Sequence, residues 1–316
     1  SGSLNARNFF QNSSHFRVYN EFGGSAGGPV VLPGYNGRDR TFFFFAFEGN
    51  RDHKQTIFNV SVPTAAMRRG DFSQTTGSGG RPTVVRDPLN NQPFAGNTIP
   101  ASRLSAISTK VQDRFYPAAN FGDANQFSQN LRDVVPQAPG WNHIDWRADH
   151  KISEKNSAYA RFSWRKITNP KPSGQLPNSG PVEQLRQMHN MSLVDTHTVS
   201  PTVINEFRAG YAWHENPRWG PSNGLEIVRD LGLRGLTSTR NVRGGPIFNI
   251  TGFASITTTD FDRPQEMTYD LLDAVTVIRG KHTLKIGFNL KKNQTSREPV
   301  GNTVFGQYNF TGAFSG

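Results

Sequence analysis

An all-β, antiparallel architecture is predicted by three features of this sequence: segments of strict two-residue alternation, connections that alternate long and short, and a composition rich in turn formers and phenylalanine. The apolar fraction is 34 %, with 31 Gly, 20 Pro and 24 Phe among 316 residues. Helical bundles and doubly wound α/β domains need long stretches rich in Leu, Ala and Ile. Many strands joined by polar loops suit this balance better. The length admits one large domain or two ordinary ones.

Cysteine is absent, which removes disulfides, thiolate metal sites and cysteine nucleophiles. The net charge of +11 raises a nucleic-acid partner. The cations are mostly scattered singly, however, with small clusters such as Arg68-Arg69 and Lys291-Lys292, so no nucleic-acid partner is expected. No run of 18 apolar residues offers a helical membrane span. A membrane barrel stays open, because its strands need only about ten alternating residues. SGSLNARNFF lacks the basic and apolar regions of a signal peptide, so a processed or excised piece is expected.

In chain order, the first strand is expected over 16–31. Its glycines, Gly23, Gly24, Gly27 and Gly28, do not fit the spacing of a phosphate loop and imply close backbone approach or a bend. A second strand over 41–48 contains the unbroken run Phe42 to Phe45. Such a run fits a fully buried strand, or one whose inner side packs on an internal element such as a plug. The long loop 49–142 carries the turn Asp87-Pro88-Leu89-Asn90 and a short helix at 102–115, capped by Ser102 and stopped at Tyr116-Pro117.

The clearest strand is 143–153. Ile144, Trp146, Ala148 and Ile152 fall on one face with His150, and Asp145, Arg147, Asp149 and Lys151 on the other. Across a tight turn, 157–166 repeats this, with Ala158, Ala160, Phe162 and Trp164 opposing Tyr159, Arg161, Ser163 and Arg165. After a loop over 167–189 come strands at 190–199 and 203–213, joined at Ser200-Pro201. In the second of these Val203, Phe207, Ala209, Tyr211 and Trp213 oppose Ile204, Glu206, Arg208 and Ala212. A loop over 214–266 leads to strands at 267–278 and 282–291, joined at Gly280-Lys281. In the latter Leu284, Ile286, Phe288 and Leu290 alternate with Thr283, Lys285, Gly287, Asn289 and Lys291. A last strand at 303–311 makes about nine.

A soluble sandwich shares the alternation. The loop order separates the two, because in an up-and-down meander it sends every long loop to one end and every turn to the other, as in outer-membrane barrels. Asp145, Arg147, Asp149, Lys151, Arg161, Arg165, Glu206, Arg208, Lys285 and Lys291 would line a wet lumen. Trp146, Trp164, Tyr211 and Trp213 would stand in an interfacial girdle. The sequence therefore predicts a partial antiparallel transmembrane β-barrel with long outer loops, in the cell outer membrane.

No catalytic chemistry is expected. The eight histidines are dispersed, and no HExxH or GxSxG motif occurs. His143 with Asp145 and Asp149 is the nearest thing to a metal or acid–base cluster, but Arg147 and Lys151 alternate with the carboxylates and imply lumen charge pairs. No catalytic, cofactor-binding or metal residue is assigned, no cofactor is expected, and the ligand contacts are unknown.

NEFGGSAGGPVV (20–31), FFFFAFEGNRD (42–52), VPTAAMRRGDFS (62–73), DPLNNQPFAGNTIPASR (87–103) and FYPAAN (115–120) occur in this order. With WRADHKISEKNSAYARFSW (146–164) and RGKHTLKIGFNLKK (279–292), they resemble TonB-dependent outer-membrane receptors of the Oar-like kind, which often carry a carboxypeptidase-regulatory-like domain. The resemblance implies a 22-stranded barrel closed by a plug, with import driven by the TonB–ExbB–ExbD complex. Residues 1–316 would be part of that barrel, with the plug and TonB box absent and the closing strand not reached. Energy coupling then belongs to the parent protein. The partners implied are outer-membrane lipid and the remaining barrel and plug. The outer loops are candidate ligand contacts, Trp219 and Asn223 among them. The alternative is a structural or interaction protein whose open strand edges pair with copies of itself or with other chains.

Overall fold

The computed structural model describes residues 16–76, 82–124, 126–172, 176, 179, 181–219, 224–236, 245–257, 262–299 and 305–312. Its strands are β1 Arg17–Pro29, β2 Val31–Leu32, β3 Tyr35–Asn36, β4 Thr41–Val60, β5 Leu131–Gln137, β6 Gly140–Ser153, β7 Asn156–Pro172, β8 Pro181–Ser200, β9 Val203–Glu215, β10 Arg218–Trp219, β11 Ile247–Ile250, β12 Asp262–Arg279, β13 His282–Pro299 and β14 Gln307–Phe310. Three α-helices lie between them: α1 Ala65–Arg68, α2 Ala106–Phe115 and α3 Gly224–Leu231.

The long strands form one antiparallel meander, β1–β4–β6–β7–β8–β9–β12–β13, each paired with its neighbours in this order. At one end the chain turns back through 154–155, 201–202 and 280–281, where Gly280 takes a left-handed φ of 60°. The β2–β3 hairpin closes the same end between β1 and β4. At the other end lie connections 61–130, 173–180 and 216–261. The predicted order of long and short connections is thus observed.

The predicted loop boundaries are corrected. Loop 49–142 shrinks because β4 runs on to Val60 and pairs there with β5, and loop 167–189 shrinks to 173–180 because β7 and β8 extend toward each other. Loop 214–266 shrinks to 216–261, with β10, α3 and β11 inside it. A second correction concerns 303–311: the strand there is Gln307–Phe310, and it pairs in parallel with β11, outside the main sheet. The predicted helix starts later, with Ser105 as N-cap accepting from the Ser108 N–H at 3.4 Å. Residues 101–103 ahead of it form a separate 3-10 turn, held where Arg103 donates both Nη groups to Asp87 at 2.8 Å.

Register places the side chains on two faces along the predicted strands, up to the irregularities at Lys151/Ser153 and Thr198/Ser200 beside the turns. Residues directly opposite one another share a face. One row reads Phe45, Trp146, Phe162, Met191, Tyr211, Tyr269, and the next Phe43, Ala148, Ala160, Leu193, Ala209, Leu271. The apolar band steps toward the turns across the sheet, from Phe43–Phe47 on β4 to Leu284–Leu290 on β13. A band of constant height crossing tilted strands must step in this way. It is interrupted by Asp195, His197, Asn205 and Asp273, and Asn205 donates to Asp273 at 2.6 Å.

The Phe42–Phe45 run is not fully buried, for each ring is between 39 and 45 % exposed. Phe43 and Phe45 belong to the apolar face, and Phe42 and Phe44 to the polar one. Two of the β1 glycines serve close approach. A Cβ on Gly23 would lie 2.5 Å from the Phe47 carbonyl oxygen, and one on Gly27 3.0 Å from that of Phe43.

The buried core lies away from the sheet. Val60, Val62, Val111, Phe115, Tyr116, Leu131, Leu176, Ile227, Leu231, Phe248, Ala254 and Ile256 form one cluster, drawn from all three long-end connections and the strand ends beside them. These connections are therefore a packed cap and not separate irregular loops.

Candidate functional site

The polar face is where the sequence-predicted lumen residues meet. Asp145, Arg147, Asp149, Lys151, Arg161, Arg165, Glu206, Arg208, Lys285 and Lys291 all have the same parity in the register. Arg147 donates to Asp149 at 2.7 and 2.8 Å and stacks on Tyr159 at 4.0 Å. Asp145 accepts from Arg161 at 3.2 Å and from the Ser163 hydroxyl, with His143 Nε2 3.2 Å away. Arg208 lies 2.8 Å from Glu206. Asp145 and Asp149 are thus engaged by different cations, and only Asp145 meets His143. No metal-binding group of His, Asp and Glu occurs among the described residues.

Toward the capped end this face holds a depression of about 330 Å³. Arg165, Met188, His214 and Glu266 stand along its upper edge, directly opposite one another on β7, β8, β9 and β12. Ser163, Asn190, Ala212 and Thr268 form the row below and leave the space. Arg165 lies over the Trp141 ring at 4.7 Å, and its Nε is buried with no hydrogen-bond partner. Arg165 was legible as a lumen residue. Met188, His214 and Glu266 were not, because their alignment depends on register across four strands.

The cap is tied down by polar contacts as well as its core. Asn130, fully buried, accepts from the Val62 N–H at 2.8 Å and donates to the Val62 carbonyl at 2.9 Å. Arg68 donates to the carbonyls of Tyr116 and Pro117, each at 2.6 Å. Lys110 Nζ donates to the Asp230 carbonyl at 2.9 Å, and Arg114 to its carboxylate at 2.9 Å, joining α2 to α3. At the root of the 216–261 connection, Asp262 accepts from Arg218 at 2.7 Å and Arg297 at 2.9 Å. Glu215 there accepts from Arg263 at 2.9 Å. The Arg103 guanidinium, with the Leu89 N–H, holds the Asp87 carboxyl below its ordinary range. Asn223 and the side chain of Trp219 lie outside the described residues.

The Tyr116 hydroxyl donates to the Ala254 carbonyl at 2.7 Å inside the cap core, and burial pushes the phenol up to about 12. A tyrosine raised above its usual value of about 10 favours the neutral form in the folded state. Its contribution is complete below pH about 10 and is lost as pH rises through about 12. The cap is expected to loosen within that window while the sheet persists, read by tyrosinate absorbance alongside hydrogen exchange. Tyr116→Phe removes the titration step, at a cost of about 1 kcal/mol for the lost hydrogen bond.

Strands of about ten lipid-compatible residues, an apolar band on one face, charges on the other and all long connections at one end are the properties of a transmembrane β-barrel. A family model for the outer membrane beta barrel domain matches residues 1–316. Neither curated proteins nor solved structures give a match. The chain belongs to the outer-membrane β-barrel domain family, and with it is a non-enzymatic protein of the outer membrane.

Proposed function

We propose that the chain is wall and outer recognition surface of a TonB-dependent receptor of the Oar-like kind, which takes up a substrate through a plugged barrel. The observation that carries this reading is the packed cap. The three long connections share one core at the end of the meander away from its turns. A mere spacer between strands has no need of a fused hydrophobic core, and an outer surface that must present fixed contacts does. Phe42 and Phe44 support a filled lumen, since they offer exposed aromatic rings on the polar face. The TonB–ExbB–ExbD complex would act on the whole protein. In native membranes, crosslinking of the complete protein is expected to capture TonB, and only while the proton-motive force is intact. Failure to form that adduct overturns the coupled-receptor reading.

A second reading is favoured by the sheet edges. Among the described residues, β1 pairs only with β4 and β13 only with β12. Lipid cannot satisfy the outward N–H and C=O groups, which cost several kcal/mol each when unpaired. Further strands of the same polypeptide meet this need in a receptor, and other chains meet it in an assembly. The denatured mass of the protein from its native membrane decides between them. A polypeptide much heavier than 35.1 kDa supports the receptor, and one of 35.1 kDa supports the assembly.

A further inference from the structure

On β6, β7 and β9 the arginines of the lower polar face are paired with carboxylates of the same face. Arg147 is paired with Asp149, Arg161 with Asp145 and Arg208 with Glu206. The row above it is different. Glu48, His143, Arg165, Met188, His214 and Glu266 stand directly opposite one another on successive strands. Among the described residues, neither Arg165 nor Glu266 has an ion-pair partner. The Arg165 Nε is both buried and without an acceptor. A guanidinium nitrogen left in that state costs free energy. A ligand acceptor that reached the guanidinium would offset that cost.

Among the described residues the row has one cation without an ion pair, Arg165, and two such anions, Glu48 and Glu266, with Met188 and His214 between Arg165 and Glu266. Three strand spacings separate β7 from β12, about 14 Å. That is the length of about four extended residues. The thioether and the imidazole can lie along a chain without demanding one side-chain type. Below them, Ser163, Asn190, Ala212 and Thr268 are small enough to leave the 330 Å³ depression. Trp141 holds the guanidinium plane from its other side at 4.7 Å.

We infer that this row is a binding site for a short peptide with free ends. Its carboxylate docks on Arg165 and its ammonium group on Glu266. The fork of Arg165 matches a carboxylate in two hydrogen bonds, and Trp141 fixes the plane in which they form. This inference gives the receptor proposed above a substrate class and rests on that reading for its transport role, though not for binding.

The test is calorimetric titration of the complete protein, folded in detergent, with tetra-alanine, its N-acetyl form and its C-terminal amide. Blocking either end is expected to weaken binding about tenfold or more, the loss of one charge-assisted contact. In Arg165→Gln the acid and the amide should bind alike. In Glu266→Gln the free and acetylated amines should bind alike. The inference is overturned if free and blocked peptides bind the wild-type protein equally. It is equally overturned if tetra-alanine does not bind protein whose heat-modifiable gel migration shows it folded. The peptide comparison on wild-type protein needs no variant to fold. Binding in detergent needs no energy source, so a missing TonB adduct would sink the receptor reading and leave the site standing, and the reverse holds too.

Discussion

Leu193→Arg is expected to destabilise the barrel by about 2–4 kcal/mol, whereas Thr196→Arg on the same strand should change stability by less than about 1 kcal/mol. Leu193 lies mid-strand on the apolar face, opposite Ala160 and Ala209, and is 47 % exposed. In lipid that exposure is favourable for leucine, and an arginine there must either stay in hydrocarbon or distort the bilayer to reach water. Thr196 has the opposite parity and stands across from Glu206, so an arginine there reaches water and an anion together. Urea unfolding of the protein inserted in lipid vesicles measures both. Equal tolerance of the two changes would mean that the apolar face does not meet lipid.

This contrast exists because the membrane-level part of each strand was legible from sequence. Lipid on one side and water on the other enforce a period of two, and all ten polar positions predicted for the lumen share one face. Above the lipid the same strands become wet on both sides, and the constraint lapses. Residues 51–56 of β4 read as a polar loop, yet they continue the strand, with 54–60 paired to β5. Pro136, Pro170, Pro172 and Pro181 argue against central strand by the usual rule; Pro170, Pro172 and Pro181 lie at outer strand ends, and Pro136 lies beside the break between β5 and β6. At 303–311 a strand was expected and one forms at Gln307–Phe310, but its place is outside the main sheet: Tyr308 stacks on Phe248 of β11 at 5.1 Å, a contact no local pattern announces.

The binding row was half legible. Parity alone placed Arg165 in the lumen. Parity cannot say which residue of β8, β9 or β12 stands beside it. The cap was less legible still, because its core residues are isolated apolar positions in polar text, brought together from segments about 200 residues apart, such as Val60 and Ile256. Helix α2 gave the one local signal. Val111 and Phe115 lie on its buried side, while Ile107, one turn before Val111, is 38 % exposed.

That difference within one helix sets the second large effect. Phe115→Ala is expected to cost the cap about 3–5 kcal/mol, the range for emptying a closely packed aromatic site. Ile107→Ala should stay within about 0.5 kcal/mol, because Ile107 lies on the exposed side and alanine is the better helix former. Phe115 is 1 % exposed and shares its core with residues of all three long-end connections, so its loss should loosen them together. Hydrogen exchange should accelerate across 61–76, 82–124, 224–236 and 245–257, while β6 to β9 stay protected by their ladders. Loss of protection confined to α2 would show that the connections are independent loops that touch, and the argument that the cap presents one fixed recognition surface would fall with it. Loss across the whole cap, with the sheet unchanged, would separate recognition from barrel stability in a single variant.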